Sequence, residues 1–119
     1  MLEFTVIGKP IPASRPRFRG HAYKTQKDRD YQRKVAIEAM QTMTKNGLKK
    51  PLDKPVGMVL EFTCWMKGDA ENLAKNVMDA MNGLVYRDDV QVEDLHIILD
   101  RHPQSDAKPY KVGVKVWEL

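Results

Sequence analysis

The chain has 119 residues, 42% of them apolar and 30% charged, with a formal net charge of +4. That composition suits one globular domain with a modest core, and no apolar run approaches the length of a membrane span. A single cysteine, Cys64, excludes an internal disulfide and any cysteine-based zinc cluster, while His21, His96 and His102 lack the spacing of a zinc hydrolase. The N-terminal MLEFTVIGKP has no secretory h-region, so a bacterial-type cytoplasm is expected. Charge is uneven: residues 1–55 carry 13 Lys/Arg against 5 Asp/Glu, and residues 56–119 carry 7 against 11. A basic half joined to an acid-clustered half suits a protein that grips phosphates with one surface and a cation with the other. Ordinary solvated surface charge is the plainer alternative.

Leu2, Phe4 and Val6 alternate with Glu3 and Thr5, which predicts a short first strand. Gly8-Lys9-Pro10-Ile11-Pro12 then breaks regular structure. Residues 13–24, ASRPRFRGHAYK, form a basic arm punctuated by Pro16 and Gly20 and read as a loop or loose hairpin. Within it Arg15, Arg17 and Arg19 alternate around Phe18. Guanidinium groups match phosphate geometry, and an aromatic ring can stack on unpaired bases, so Arg15, Arg17, Phe18, Arg19, Lys24 and Lys27 are candidate DNA contacts. The alternative is a solvated loop with Phe18 in the core. Arg33 and Lys34 extend the same surface.

Thr25 and Asp28 form a capping box with Asp where Glu or Gln is usual, and open a helix over about 26–45. Tyr31, Val35, Ala39 and Met43, with Ala36 and Met40 beside them, give it an apolar stripe. Asn46-Gly47 stops it. From Val56 to Met66 apolar residues alternate regularly, which marks the clearest strand and places Cys64 in the core. A second helix spans about 70–81, with Leu73, Val77 and Met81 facing inward and Asn82-Gly83 ending it. Residues 90–100 read as a strand, with His96 a structural position in it, and residues 111–117 alternate strongly. Residues 102–109 read as a hairpin connection. The expected fold is one α+β domain over residues 1–119, in the order β-α-β-α-β-β, with a mixed sheet and both helices on one face.

The segment Gly68–Asp89, GDAENLAKNVMDAMNGLVYRDD, concentrates the acids. Asp69 and Glu71 stand at a strand-to-helix junction, where a helix N-terminus favours negative charge. Read alone they are an N-cap and a first-turn acid. Glu71, Lys75 and Asp79 recur every four residues and so share one polar stripe. If the sheet is compact, the next strand returns beside the strand ending at Lys67, and an acid at its start can then approach Asp69. Three converging carboxylates suit Mg²⁺ or Mn²⁺, and such an ion can polarise a phosphodiester and generate hydroxide. Lys75 adds a fixed positive charge for the transition state. Asp88 is either an outer partner of the site or a turn former.

The run Asp69-Ala70-Glu71-Asn72-Leu73-Ala74-Lys75 resembles the D-x-D-N-L-x-K signature of RusA-type Holliday junction resolvases. The likeness continues through Asp79-Ala80-Met81-Asn82-Gly83 and Asp88-Asp89-Val90-Gln91-Val92, and Gly8 to Arg17 is similar to phage and prophage members. This resemblance implies a RusA-like fold and a homodimeric, Mg²⁺-dependent crossover junction endodeoxyribonuclease, with Mn²⁺ as an alternative metal. It implies paired symmetric nicks across four-way DNA, in a bacterial or phage-infected cell, with no membrane and no nucleotide cofactor. By position the catalytic residues are Asp69, Glu71, Lys75 and Asp89, and the metal ligands Asp69, Glu71 and Asp89. The chain departs from the signature at Glu71, where Asp is usual, which moves the carboxylate out by one methylene. Two other functions fit the residues: a non-catalytic branched-DNA-binding protein, and a metal-dependent nuclease acting on flaps or other branches.

Overall fold

The computed structural model describes residues 1–13, 25–65, 70–101, 103, 105 and 107–119. Leu2–Ile7 forms β1, Gln26–Lys45 α1, Val56–Cys64 β2, Ala70–Met81 α2, Val92–Arg101 β3 and Lys111–Glu118 β4. A 3-10 turn at Asp89–Gln91 precedes β3, so regular strand begins later than the apolar Val90 suggests. Helix α1 starts as its sequence predicts. The Thr25 hydroxyl accepts from the Asp28 N–H at 3.2 Å, and the Asp28 carboxylate accepts from the Thr25 N–H at 3.1 Å. Both helices end at a glycine in the left-handed region, Gly47 at φ 71° and Gly83 at φ 80°, a conformation that Gly reaches without a Cβ penalty.

The four strands form one mixed sheet in the order β1-β4-β2-β3. Strand β4 runs antiparallel to both β1 and β2, while β3 is parallel to β2. Residues 102–109 are therefore no hairpin: β3 and β4 are not neighbours, because β2 lies between them. Strand β2, the most completely apolar strand, thus has a neighbour on each side. Parallel neighbours need a crossover, and α2 supplies it.

Alternate residues of β1, β2 and β4 face the helices, while Ile97 and Leu99 of β3 are only partly buried against the same core. Leu2, Phe4 and Val6, then Met58, Leu60, Phe62 and Cys64, then Val112, Val114 and Val116, are buried against Tyr31, Val35, Ala39 and Met43 of α1 and Leu73, Val77 and Met81 of α2. Met40 does not join them; it is 53% exposed on the outer side of α1. Burial of large side chains on this scale, about 1.5–3 kcal/mol each, holds α2 rigidly against the sheet. The polar stripe of α2 is thereby fixed along one edge of the core, facing β3.

Candidate active site

Helix α2 carries Glu71, Lys75 and Asp79 one turn apart, and the 3-10 turn brings Asp89 to the same place. All four line an open groove of about 390 Å³ whose floor is Ala74, Met78, Leu95 and Ile97. The apolar floor matters, because charges over a surface of low polarisability act more strongly than charges in bulk water. A second depression, of about 270 Å³, opens on the other face of the sheet among Glu3, Glu61, Lys111 and Lys115. There the charges alternate in sign, with Lys115 Nζ 4.0 Å from Glu3 Oε1, and no two acids adjoin in sequence. The first groove is the better candidate for cation chemistry.

Strand β3 returns beside β2 as a compact sheet requires, but Asp89 does not reach the end of β2. The parallel register pairs Val56 with Val92, so the start of β3 lies level with the start of β2, not with its end. Asp89 therefore enters the groove beside the C-terminal half of α2, with Asp79 and Lys75 as its charged neighbours there. Glu71 enters from the other end, about 12 Å along the helix axis from Asp79 at 1.5 Å per residue. The sequence places Asp79 in the polar stripe and in the stretch that carries the resemblance, without a role; the fold makes it the α2 carboxylate that acts on Asp89. Lys75 Nζ stands 3.5 Å from Asp79 Oδ2, between the two ends.

Asp88 is a turn former. Its carboxylate accepts from the Val90 N–H at 3.1 Å, and the Gln91 side chain accepts in return from the Asp88 N–H at 3.0 Å. The Asp88-x-x-Gln91 spacing is that of a capping box, a signal present in the sequence. The hydrogen bond from Val90, with one shared with Asp89, holds Asp88 below its ordinary value. Asp89 is pushed up, first by that shared hydrogen bond, then by desolvation and the charges of Asp88 and Asp79, against a smaller opposing effect of Lys75. Close carboxylates that raise one another's proton affinity are relieved when a cation arrives. Nearby, burial and the charges of Asp89 and Asp79 push the Tyr86 phenol up, and its hydroxyl donates to the Met78 carbonyl at 2.8 Å. Tyr86 thus stays neutral and braces the helix end.

The donor set at the groove is all oxygen, which fits a hard divalent ion. Among the described residues no three Asp, Glu, His or Cys side chains hold such a site by themselves. Asp69 lies outside the described residues, as do Arg15, Arg17, Phe18, Arg19 and Lys24. What is described fixes where the basic arm begins. Ala13 N–H donates to the Asn72 carbonyl at 2.9 Å, and the Asn76 amide donates to the Ile11 carbonyl at 2.9 Å. Asn72 and Asn76 flank Lys75 and Glu71 on α2, so the arm leaves the body from the helix that carries the site. At the arm's other end Lys27 is exposed in the first turn of α1. Lys34 donates instead to the Ile7 carbonyl at 2.9 Å, a structural bond. His96 is an exposed strand residue whose Nε2 lies 3.0 Å from Asp94 Oδ1. No described helix is long and apolar enough to cross a membrane.

Residues 8–116 match the family model described as Endodeoxyribonuclease RusA. The chain is also similar to a Bacillus subtilis (strain 168) protein, "Uncharacterized protein YqaN", at 28% identity over 123 residues covering 81% of this chain and 84% of the relative.

Proposed function

Because the chain belongs to the RusA endodeoxyribonuclease family, we propose that it is a Mg²⁺-dependent endonuclease that resolves Holliday junctions by paired symmetric nicks. The observation that supports this reading best is the single groove that gathers Glu71, Lys75 and Asp89 beside the anchored base of an arginine-rich arm. Asp69, Glu71 and Asp89 would supply the metal ligands, Glu71 at one end of the groove and Asp89 at the other, with Mn²⁺ an acceptable substitute. When bound, the ion supplies Lewis acidity to the phosphodiester and a nucleophilic hydroxide near neutral pH.

The chain's own residues do the rest. Lys75 is released from its exposed pair with Asp79 to meet a phosphate oxygen, where its charge offsets the negative charge that builds in the transition state. Arg15, Arg17, Arg19, Lys24 and Lys27 bind backbone phosphates, and Phe18 stacks against bases opened at the branch. Two symmetric cuts call for two sites related by a two-fold axis, so the active form is a homodimer. Its setting is DNA recombination and repair in the cytoplasm of a bacterial or phage-infected cell.

The test is cleavage of a four-way junction, a flap and a linear duplex under one condition, with and without Mg²⁺. Wild type should nick the junction symmetrically, whereas Asp69→Asn and Asp89→Asn should bind it and leave it whole. Preference for the flap would transfer the activity to other branched DNA. Tight binding without cleavage at any metal concentration would leave only a DNA-binding protein.

A further inference from the structure

The turn that presents Asp89 has no apolar anchor of its own. Arg87, Asp88, Asp89 and Val90 are all exposed, and Val90, its apolar member, is 77% exposed. Buried Tyr86 and core-packed Val92 hold its two ends, and Leu52 N–H donates to the Val85 carbonyl at 2.8 Å; between those ends the exposed backbone is tied down by a side chain. Gln91 Oε1 accepts from the Arg87 N–H at 2.8 Å and the Asp88 N–H at 3.0 Å. Its Nε2 donates to the carbonyls of Leu52 at 2.8 Å and Lys54 at 3.0 Å. A carboxamide offers two donor hydrogens and two acceptor lone pairs, and here all four are used. They join the turn ahead of β3 to the segment ahead of β2, its parallel neighbour.

We propose that Gln91 is the positioning residue of the candidate site, clamping the Asp88-Asp89 turn to residues 52–54 so that the Asp89 carboxylate is held where it receives a divalent cation. With its carboxamide engaged by four backbone groups, Gln91 acts through the backbone that carries Asp89. Outer partners that orient a ligating group typically change metal affinity or activity about 10–100-fold when lost. No other amino acid reproduces the pattern at this reach. Glu accepts from Arg87 and Asp88 but turns a carboxylate towards two carbonyls, and Asn is one methylene short.

The test compares wild type with Gln91→Met, which keeps the length and removes all four hydrogen bonds. Three quantities are read on the full chain: amide exchange at Arg87 and Asp88, Ca²⁺ affinity by calorimetry without DNA, and the Mg²⁺ dependence of junction cleavage. Only the third rests on the nuclease reading above. Faster exchange at both amides should accompany Ca²⁺ binding weakened about tenfold or more and a matching rise in half-saturating Mg²⁺, with junction affinity within about twofold. Unchanged exchange overturns the clamp. A lower melting temperature with unchanged Ca²⁺ and Mg²⁺ dependence overturns the positioning role and leaves Gln91 merely structural. If wild type binds Ca²⁺ yet cleaves no junction, the function reading fails alone, and exchange with Ca²⁺ affinity still decides Gln91. No divalent binding by wild type overturns both.

Discussion

Lys75 Nζ lies 3.5 Å from Asp79 Oδ2, one turn along α2, and the lysine side chain is 63% exposed. An open i,i+4 pair of this kind is worth about 0.3–0.5 kcal/mol, so a phosphate can take the ammonium away from Asp79 at little cost. Lys75→Met should therefore leave stability almost unchanged. It should lower single-turnover junction cleavage about 100-fold, the usual loss when one preorganised stabiliser of transition-state charge is removed. Junction affinity, read by fluorescence anisotropy, should change far less than the rate. A variant that binds weakly but cleaves at the wild-type rate when saturated would make Lys75 an anchoring residue instead.

Glu71 stands at the open end of the groove, in the exposed first turn of α2. Glu71→Gln removes the charge and keeps the length, and should abolish Mg²⁺-activated cleavage while sparing DNA binding. Glu71→Asp shortens the reach by one methylene and restores the family's usual acid. Retained or raised activity in that variant is the expected outcome. Loss of activity in it would mean that the rest of the site has adjusted to the longer side chain.

The two neighbouring acids make a pH prediction whose sign is fixed by their roles. Asp89 is held above its ordinary value, chiefly by the hydrogen bond shared with Asp88. It must lose its proton to bind a cation, so metal affinity and cleavage fall as pH drops through that raised value. The same shift favours the folded state on the acid side, a contribution lost as pH rises through it. Asp88, held low, contributes in the opposite sense. Asp88→Asn keeps a competent cap at the turn, replaces the carboxylate that shares the Asp89 proton, and removes its charge as well. The acid limb of the kcat/KM profile should then move to lower pH at fixed Mg²⁺. An unmoved limb would assign it to another group.

Periodicity and capping exposed the elements but not how they pair. Tyr31, Val35, Ala39 and Met43 announce α1, and Leu73, Val77 and Met81 announce α2, because burial imposes the helical period on sequence directly. The neighbours of β2 are not written that way. A strand covered on both sides has the same apolar alternation whichever partner lies beside it, so the separation of β3 from β4 was invisible. What places Asp89 beside the C-terminal half of α2 is the direction of β3, which runs parallel to β2 and so starts level with the start of β2, not with its end. Glu71, Lys75 and Asp79 were legible as one stripe because a single helix fixes their spacing. Asn76 was not, since an amide on the inner side of an amphipathic helix reads as an error until its partners are known.

Asn76 couples the site helix to the arm, and it gives the last prediction. It is 1% exposed. Its Oδ1 accepts from the Gln32 amide at 2.7 Å, and its Nδ2 donates to the Ile11 carbonyl at 2.9 Å. Asn76→Ala removes both hydrogen bonds from a buried position and takes this donor from the Ile11 carbonyl, which should cost about 1–3 kcal/mol in thermal or urea unfolding. The functional effect should be of a different kind. The arm keeps its second tether, from Ala13 N–H to the Asn72 carbonyl at 2.9 Å, but its base is less ordered before DNA binds. Ordering it on binding should weaken junction affinity about 3–10-fold, the equivalent of roughly 0.5–1.5 kcal/mol. Cleavage at saturating DNA should stay within about twofold, because Glu71, Lys75 and Asp89 are held by other contacts. Reduced stability with unchanged junction affinity would show that the arm's base contributes nothing to DNA recognition. A fall in the saturated rate would instead tie Asn76 to the alignment of α2 with the groove.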